Sequence, residues 1–317
     1  MTGGPVPSLG GMVFDRLRRG WPSTTSSPNS ACYAPHSALY FQPDGIVRAC
    51  CVTVFVAGSV VGDHRPSLEE IWRGALLDSQ RRALEEGDYG LGCQECEVVA
   101  AAGGRDAAVA HHFDRFAEGV PHEYPKLLDF ALSSRCNLQC VMCNGELSST
   151  IRTQREGLPP LPEVYDDRFF DELDAFLPHA ERLQFKGGEP FLARENRRVW
   201  DSLIDQGLRP EISVTTNGTV FNDQVEHYVR ELRMHPNVSV DGVTAETLES
   251  IRVGVRSDQL WHNIDRFQTL GEETGTGMTL SFCLLSTNWR EVVPFLHEAD
   301  RRRVNCNVIF VHQPERF

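Results

Sequence analysis

The chain has little that would place it in a membrane, outside the cell or on nucleic acid. No apolar run among its 317 residues is long enough to span a bilayer, and residues 1–30, rich in Gly, Pro and Ser, lack the apolar core of a signal peptide. A net charge of −13 leaves no general excess of positive charge for nucleic acid. We therefore expect a cytoplasmic protein with a flexible N-terminal lead-in and no membrane or nucleic-acid partner.

Cysteine, in contrast, is plentiful. Ten cysteines without a secretion signal indicate metal ligation in a reducing compartment more than they indicate disulfides. The composition, with 41% hydrophobic and 24% charged residues, is ordinary for a globular protein. The length allows one large α/β domain and a second, smaller one.

The strongest cysteine pattern lies in residues 136–143. Cys136, Cys140 and Cys143 have the spacing C-x3-C-x2-C, and no fourth cysteine follows nearby, although a structural zinc site or a four-cysteine cluster needs four ligands. Three thiolates can hold three irons of a cubane [4Fe–4S] cluster and leave one iron open, as a catalytic metal keeps one position open. A zinc-binding surface cluster is the alternative for these residues alone.

Strand-like and helix-like segments alternate after residue 127. Strands are expected at 127–132, 183–185, 212–216, 238–240, 278–285 and 307–311, and helices at 166–177, 196–206, 220–234, 245–251 and 290–302. Six β/α steps predict a parallel sheet, whose sites form at the C-terminal ends of the strands. The cysteine loop and the later polar motifs all follow a predicted strand.

The cysteine loop in this context resembles that of the radical S-adenosylmethionine (radical SAM) superfamily. The resemblance implies an α/β fold, a (β/α)6 partial TIM barrel, at residues 127–317. It also implies that the open iron chelates the methionine moiety of S-adenosylmethionine, and that an electron from the cluster cleaves the sulfonium to a 5′-deoxyadenosyl radical.

Further motifs match positions where this family contacts its cofactor. In the family, a Gly-Gly-Glu motif binds the methionine amino group, and an arginine pairs with the methionine carboxylate. Polar residues after the third strand contact the ribose, and a bulky residue packs under the adenine. A Ser-x-Asp-Gly motif ends the fourth strand. The corresponding residues are Gly187, Gly188, Glu189, Thr215, Thr216, Asn217, Ser239, Asp241, Arg252 and Met142. A plain β-turn with Asn217 at positive φ, and an exposed helix position for Arg252, are the alternatives.

The first half resembles the SPASM and twitch auxiliary-cluster modules. Cys32-x12-Gly45-x4-Cys50 matches their opening pattern, and the turn Pro43-Asp44-Gly45 predicts a hairpin between strands at 39–41 and 46–48. A later C-x2-C pair completes a set of four thiolates that suits a second [4Fe–4S] cluster. The expected ligands are Cys32, Cys50, Cys93 and Cys96, with Cys51 as an alternative to Cys50 or as a buried thiol.

This module departs from the family pattern in two ways. It precedes the barrel instead of following it, and the later cysteines of the full SPASM pattern are missing. We therefore expect a permuted, small cysteine-rich α+β module with one auxiliary cluster, and zinc in the same site remains an alternative. The predicted organisation is a lead-in at 1–30, the module at 31–100, a linker with one helix (106–116) at 101–126 and the barrel at 127–317.

The resemblance narrows the reaction only in part. An oxidation or crosslink of a peptide leaves a radical whose electron the auxiliary cluster can take, whereas a redox-neutral epimerisation needs a hydrogen-atom donor. Cys283, within the fifth predicted strand, is a candidate donor, and Cys306, expected just before the sixth strand, is a weaker one. We expect a biosynthetic enzyme of oxidoreductase or epimerase type, acting on a small molecule or short peptide and reduced by a flavodoxin or ferredoxin. A non-catalytic iron–sulfur or zinc protein is the alternative from another class.

Overall fold

A nine-stranded sheet runs through residues 30–310, the part of the chain that the computed structural model describes. The predicted lead-in and the end of the last predicted strand lie outside these residues. Two further short strands, β5 and β9, pair with each other in a separate sheet. In chain order the strands are β1 (Ala38–Phe41), β2 (Ile46–Arg48), β3 (Gly58–Ser59), β4 (Leu127–Phe130), β5 (Gln139–Cys140), β6 (Arg182–Phe185), β7 (Glu211–Thr216), β8 (His235–Ser239), β9 (Arg252–Val253), β10 (Thr279–Leu284) and β11 (Asn305–Phe310).

The helices of the same residues cover one face of the large sheet and connect its strands. They are α1 (Ala34–Ser37), α2 (Leu68–Trp72), α3 (Ala75–Glu85), α4 (Gln94–Gly103), α5 (Asp167–Asp174), α6 (Arg194–Asp205), α7 (Asp223–Glu231), α8 (Ala245–Ile251), α9 (Ser257–Thr274) and α10 (Val292–Arg302). No helix among residues 30–310 is long and apolar enough to cross a membrane.

Six strands form the parallel part of the sheet. They are neighbours in the order β4, β6, β7, β8, β10 and β11, and each pair is parallel. The six predicted β/α steps are therefore confirmed, and the arrangement is that of a partial barrel. Because the strands are parallel, the loops that follow them meet at one edge of the sheet.

The N-terminal hairpin extends this sheet instead of standing apart from it. Strands β1 and β2 are antiparallel around the predicted turn, in which Gly45 has a φ of 81°. A non-glycine side chain would be strained at that φ, so the turn chemistry predicts the hairpin correctly. Strand β1 also pairs in parallel with β4, and Tyr40 lies opposite Asp129. The auxiliary module and the barrel therefore share one continuous sheet.

The two faces of the sheet differ in polarity. Phe41, Phe130 and Phe185 stack side by side on the helix-covered face, with ring centroids 5.5 and 5.0 Å apart. Phe185 also contacts Trp200 of α6, and each buried phenylalanine contributes about 1.5–3 kcal/mol relative to exposure. Side chains alternate between faces along a strand, so the opposite, concave face carries the row Tyr40, Asp129, Gln184, Ser213 and His235.

Side-chain caps explain where several helices begin. Thr244 accepts a hydrogen bond from the backbone N–H of Thr247 (3.3 Å), which confirms the predicted N-cap of α8. Asn222 caps α7 in the same way, and Arg233 leaves the helical region with a φ of 49°. The helix predicted at 220–234 is therefore shorter, because a capping residue and a left-handed residue confine it.

Two other helical segments differ from the expectation. The linker, predicted to have one helix at 106–116, has two 3₁₀-helices at Arg105–Ala107 and Val109–Phe116. Helix α9, the longest helix of the described residues, was not predicted. Its buried stripe includes Asn263 and Gly271, which break the apolar period, and its N-cap, Arg256, forms no side-chain cap.

Candidate active site at the cysteine loop

The cysteine loop follows β4 at the C-terminal edge of the parallel sheet, and hydroxyl groups hold its backbone in place. The N–H of Cys136 donates to Ser149 Oγ (3.2 Å), and Thr150 Oγ1 donates to the Cys136 carbonyl (2.6 Å). Ser148 Oγ donates to the Leu138 carbonyl (2.8 Å). These bonds satisfy backbone groups that no strand or helix pairs, so they fix the loop without iron.

The three cysteines of the loop are half-buried. Burial raises the pKa of each thiol, that of Cys143 to about 11, so the metal-free side chains are neutral near pH 7. Metals bind the thiolate form, and iron would therefore displace three protons here.

Glu189 is buried at the start of the loop after β6 and links that loop to β7. Its carboxylate accepts hydrogen bonds from the N–H of Asn217 (2.7 Å), Thr216 Oγ1 (2.8 Å) and the N–H of Phe191 (3.2 Å). Burial raises the pKa of Glu189 to about 7, although the three donors act to lower it. The carboxyl group is therefore poised between its neutral and charged forms.

The two glycines before Glu189 allow the backbone of this loop to lie against the cysteine loop. Gly187 has a φ of 107°, and a Cβ atom on Gly188 would lie 2.3 Å from the Arg135 carbonyl oxygen. The N–H of Gly188 donates to the Ser133 carbonyl (3.1 Å), and that of Glu189 to the Arg135 carbonyl (2.7 Å). Backbone of the cysteine loop therefore fills the space beside Gly188. Contact of the motif with a cofactor stays a prediction.

The polar residues at the end of β7 have separate roles. Thr216 is buried against Glu189, whereas Thr215 is exposed on the concave face. Asn217 Nδ2 donates to Asn137 Oδ1 (3.0 Å) and lies 3.8 Å from Cys136 Sγ. Gly218, not Asn217, takes the positive φ of the turn (71°). Asn217 therefore connects the third parallel strand to the cysteine loop, and the alternative of a positive-φ Asn217 was wrong.

A buried ion pair lies behind Cys140. Strands β5 and β9 place Arg252 opposite Cys140, and its guanidinium Nη2 forms an ion pair with Asp241 Oδ2 at 2.8 Å. Its Nη1 lies 3.9 Å from Cys140 Sγ. Asp241 is 0% and Arg252 8% exposed, so the alternative of an exposed helix arginine was wrong. Burial acts to lower the pKa of Arg252, but Asp241 and Cys140 outweigh it, and the net shift is upward.

The last two predicted strands carry one cysteine on each face. Cys283 shares the concave face with Ser281, which lies opposite Ser239 of β8. The backbone N–H of Cys283 donates to Asp241 Oδ1 (2.7 Å). Burial and the nearby Asp241 raise the pKa of Cys283 to about 11. Cys306 lies within β11, not before it, and is opposite Leu280 on the helix-covered face. Met142 is half-buried in the turn between Cys140 and Cys143.

The auxiliary cysteines converge at a second place. Cys32, Cys50 and Cys96 are buried, Cys93 is half-buried, and all four line one pocket with apolar neighbours such as Phe113. The N–H groups of Ala34 and Thr53 point to Cys32 Sγ and Cys50 Sγ, both at 3.4 Å, and Gln80 Nε2 lies 3.6 Å from Cys93 Sγ. Burial raises the pKa of Cys32 to about 12.

Cys51 is exposed and does not line this pocket, so the alternative of a buried thiol at this position was wrong. Within residues 30–310, no three His, Cys, Asp or Glu side chains lie close enough together for one metal ion. A cubane spans a wider space than a single ion, and its ligands surround that space instead of meeting at a point.

Two family profiles match this chain. The profile of the radical SAM superfamily matches residues 131–299, and that of the SPASM iron–sulfur cluster-binding domain matches residues 32–97. The chain belongs to the radical SAM superfamily. The first match includes the cysteine loop and extends into α10, and the second includes all the candidate auxiliary ligands.

Curated relatives of this radical SAM protein match over part of their length. They include the AdoMet-dependent heme synthase of Methanosarcina barkeri, 30% identical over 132 residues (40% of this chain and 34% of that protein). The GTP 3′,8-cyclase of Clostridium botulinum is 22% identical over 145 residues (45% and 44%), and the probable GTP 3′,8-cyclase of Archaeoglobus fulgidus is 30% identical over 149 residues (45% of each). The chain thus spans less than half the length of these relatives.

Solved structures with a similar fold include native anSMEcpe with bound AdoMet. It has a TM-score of 0.46 and 19% identity, over 58% of this chain and 52% of that one. SuiB of Streptococcus suis bound to precursor peptide SuiA has a TM-score of 0.45 and 14% identity, over 60% and 40%.

Radical SAM proteins use S-adenosylmethionine and a [4Fe–4S] cluster, and a SPASM domain implies additional iron–sulfur clusters. The side chains present fit these groups. Three cysteines of one short loop form an incomplete thiolate set, and four others form a complete one in a separate pocket that has N–H donors near the sulfur atoms. Hydrogen bonds to sulfur and burial are the features by which proteins adjust such clusters.

Sequence reasoning missed several residues that build the site. The hydroxyl-rich run Ser148–Thr150 anchors the cysteine loop, and Asn137 and Thr219 hold the side chain of Asn217. A Ser-Ser-Thr run soon after a metal-binding loop is a usable signal, because hydroxyl groups satisfy loop backbone. The pairing of β5 with β9 had no signal, since both strands have two residues.

Proposed function

We propose that this protein cleaves S-adenosylmethionine reductively and removes a hydrogen atom from a small-molecule or short-peptide substrate in a biosynthetic pathway. The observation that carries the proposal is the convergence of the three-cysteine loop, Glu189 and the Asp241–Arg252 pair at one edge of the parallel sheet. When bound, S-adenosylmethionine and the reduced cluster would supply a 5′-deoxyadenosyl radical.

The chain's residues suit the two ends of the methionine moiety. Glu189 Oε2 accepts one hydrogen bond, from the N–H of Asn217, and has capacity for an ammonium donor. An ammonium group would favour the charged form of a carboxyl whose pKa burial raises to about 7. Arg252 Nε is buried and has no hydrogen-bond partner among residues 30–310, so it can donate to a carboxylate while Nη2 stays on Asp241.

Other residues on the concave face are suited to the nucleoside and the substrate. Thr215 and Ser239 present hydroxyl groups there, and Met142 lies within the cysteine loop. We assign ribose contacts to the first two and an adenine contact to Met142. The face continues through Asp129 to the auxiliary hairpin, so it can hold a substrate between the two cysteine sites.

We assign the auxiliary cluster to Cys32, Cys50, Cys93 and Cys96. Four thiolates leave no open iron for a substrate atom, so this cluster would take the electron from a substrate radical or pass one on. A flavodoxin or ferredoxin is the proposed source of electrons for the other cluster, and the cytoplasm the proposed compartment. Redox-neutral epimerisation is a second candidate, because Cys283 lies on the concave face beside Asp241.

The test is anaerobic formation of 5′-deoxyadenosine, measured beside iron and sulfide content. Wild type should form it with a flavodoxin or dithionite as reductant, whereas Cys140→Ala should form none and keep the auxiliary iron. A normal yield from Cys140→Ala would contradict the site assignment. If wild-type protein with intact clusters forms no 5′-deoxyadenosine, the result would favour a non-catalytic iron–sulfur protein.

A second comparison tests the auxiliary ligands. A Cys136/Cys140/Cys143→Ala triple variant should keep about four irons per chain. Within that variant, Cys50→Ala should lose them and Cys51→Ala should not. If the triple variant holds zinc or no metal, the auxiliary site cannot accept an electron, and the oxidase proposal loses its electron acceptor.

A further inference from the structure

The concave face carries a polar cluster that the proposed cofactor contacts do not use. Lys186 follows β6 directly, and its Nζ lies 2.6 Å from Asp129 Oδ2 and 4.9 Å from the centre of the Tyr40 ring. Asp129 belongs to β4 and Tyr40 to β1, opposite each other in register. Three adjacent strands therefore contribute one side chain each, and the cluster joins the auxiliary hairpin to the barrel.

The position of this cluster relative to the proposed cofactor site follows from the chain itself. Lys186 immediately precedes Gly187 and Gly188, whose loop lies against the cysteine loop. Its neighbour in β6, Phe185, packs against the helices, so Lys186 lies on the other face. A ligand held here would lie beside the edge at which we expect hydrogen abstraction.

Asp129 has an unused hydrogen-bond acceptor. The residue is 6% exposed, and its Oδ1 has no hydrogen-bond partner among residues 30–310. Leaving a buried polar atom unsatisfied costs about 1–3 kcal/mol, and more if it is charged, so native structures rarely do so without a reason. The arrangement therefore points to a ligand that donates a hydrogen bond to Oδ1.

Lys186 provides a donor beside the carboxylate of Asp129, and the ring of Tyr40 lies next to the ammonium. An ammonium has three N–H groups, one of which is used by Asp129 Oδ2, and the side chain of Lys186 is 27% exposed. Burial acts to lower the pKa of Lys186, but Asp129 outweighs it, and the cation is retained. Burial raises the pKa of Tyr40 to about 12, so its phenol keeps its proton.

The choice of lysine at this position is unusual for the chain. Of its 31 lysines and arginines, only Lys126 and Lys186 are lysines. Lys126 forms an ion pair with the exposed Glu181 (3.1 Å) at the surface. An ammonium is a compact donor that suits a single oxygen atom, whereas a guanidinium suits the two oxygens of a carboxylate or phosphate.

We propose that Lys186 and Asp129 bind a hydroxyl group of the substrate. A hydroxyl oxygen can donate to Asp129 Oδ1 and accept from Lys186 Nζ at the same atom. A trans amide directs its N–H and C=O to opposite sides, and a carboxylate has no proton for Oδ1. The proposal rests on the proposed function and narrows its substrate class to molecules that carry a hydroxyl group at this position.

The two-lysine composition makes a direct test possible. Protein with intact, oxidised clusters and ¹³Cε-labelled lysine should give two side-chain NMR signals, which Lys126→Met assigns. We expect titration with myo-inositol to shift the Lys186 signal saturably and leave the Lys126 signal in place. N-acetylalanine methylamide, an amide probe, should shift neither. Asp129→Asn should abolish the response, and Glu181→Gln, which alters the surface pair of Lys126, should keep it.

The wild-type titration needs no variant to fold. No shift of the Lys186 signal with inositol or glycerol up to their solubility limits would overturn the proposal, as would equal shifts of both lysines. A shift of the Lys186 signal with the amide probe but not with inositol would show that the site binds a peptide group and not a hydroxyl group. Inositol binding without 5′-deoxyadenosine formation would refute the proposed function and keep this site. Formation of 5′-deoxyadenosine without inositol binding would refute this site alone.

Discussion

Replacing Asp241 by asparagine tests whether the buried pair behind the cysteine loop stabilises the fold. Asp241 is fully buried, and its two oxygens contact the Arg252 guanidinium (2.8 Å) and the N–H of Cys283 (2.7 Å). Asparagine keeps the shape and one acceptor but leaves Arg252 as a buried cation. Breaking a buried pair in this way costs about 3–5 kcal/mol.

The iron-free protein gives the clearest measurement. Burial raises the pKa of Cys140, the other neighbour of Arg252, so that thiol is neutral and cannot replace the lost carboxylate. At about 2–4 °C per kcal/mol for a domain of this size, Asp241→Asn should lower Tm by about 6–20 °C. Anaerobic circular dichroism melts provide the assay.

The chain contains a matched control on its surface. Arg256 and Asp258 form a pair with the same 2.8 Å separation, but both side chains are more than 70% exposed. Solvent screens such pairs, so Asp258→Asn should leave Tm nearly unchanged. The double variant Asp241→Asn/Arg252→Met should recover part of the loss, because no buried charge remains unpaired. Equal Tm values for the two asparagine variants would refute the reasoning.

Three further predictions concern the same edge of the sheet. Because burial raises the pKa of Glu189 from 4.5 to about 7, the folded state binds this proton more tightly than the unfolded state. Up to about 3 kcal/mol of stability is therefore lost as pH rises from 4.5 through 7. Urea titrations should find that this dependence of stability on pH is absent in Glu189→Gln, and its persistence would contradict the assignment. Gly188→Ala places a Cβ against the Arg135 carbonyl and should cost about 1–3 kcal/mol and reduce iron content. The control Gly207→Ala has open space around its Cβ but a φ of 66°, so it should lower stability through backbone strain and keep normal iron. Equal iron contents in the two variants would count against the packing role. Cys283→Ala should leave an oxidase nearly unaffected, whereas an epimerase would stall or accumulate a substrate radical detectable by EPR, so an unchanged epimer yield would exclude Cys283 as the donor.

The features that the sequence predicts well are local ones. The C-x3-C-x2-C spacing places three thiols in one loop, and the turn Pro43-Asp44-Gly45 specifies a hairpin through the φ that glycine allows. The alternation of strands and helices after residue 127 predicts a parallel sheet of six strands, which the structure contains. These signals act over a few residues or repeat along the chain, and one sequence is enough to detect them.

The helix boundaries and α9 were harder because tertiary contacts decide them. Asn263 lies in the buried stripe of α9 because its side chain donates to the Gly218 carbonyl (2.8 Å), a bond to a distant turn. Periodicity cannot predict a polar residue that is buried by such a partner. The same reason applies to the Ser148–Thr150 run, whose hydroxyl groups bond to loop backbone.

By itself, the sequence determined which residues are candidate metal ligands, the family and the six parallel strands, because thiol spacing and hydrophobic period are properties of short segments. Only the tertiary structure decided that Arg252 pairs with Asp241 behind Cys140, that Cys50 and Cys51 lie in different surroundings, and that the hairpin joins the barrel sheet. It also brought Lys186 to Asp129 across 57 residues of chain. Such contacts depend on register and on which face each strand presents, and these are set by the packing of the whole sheet.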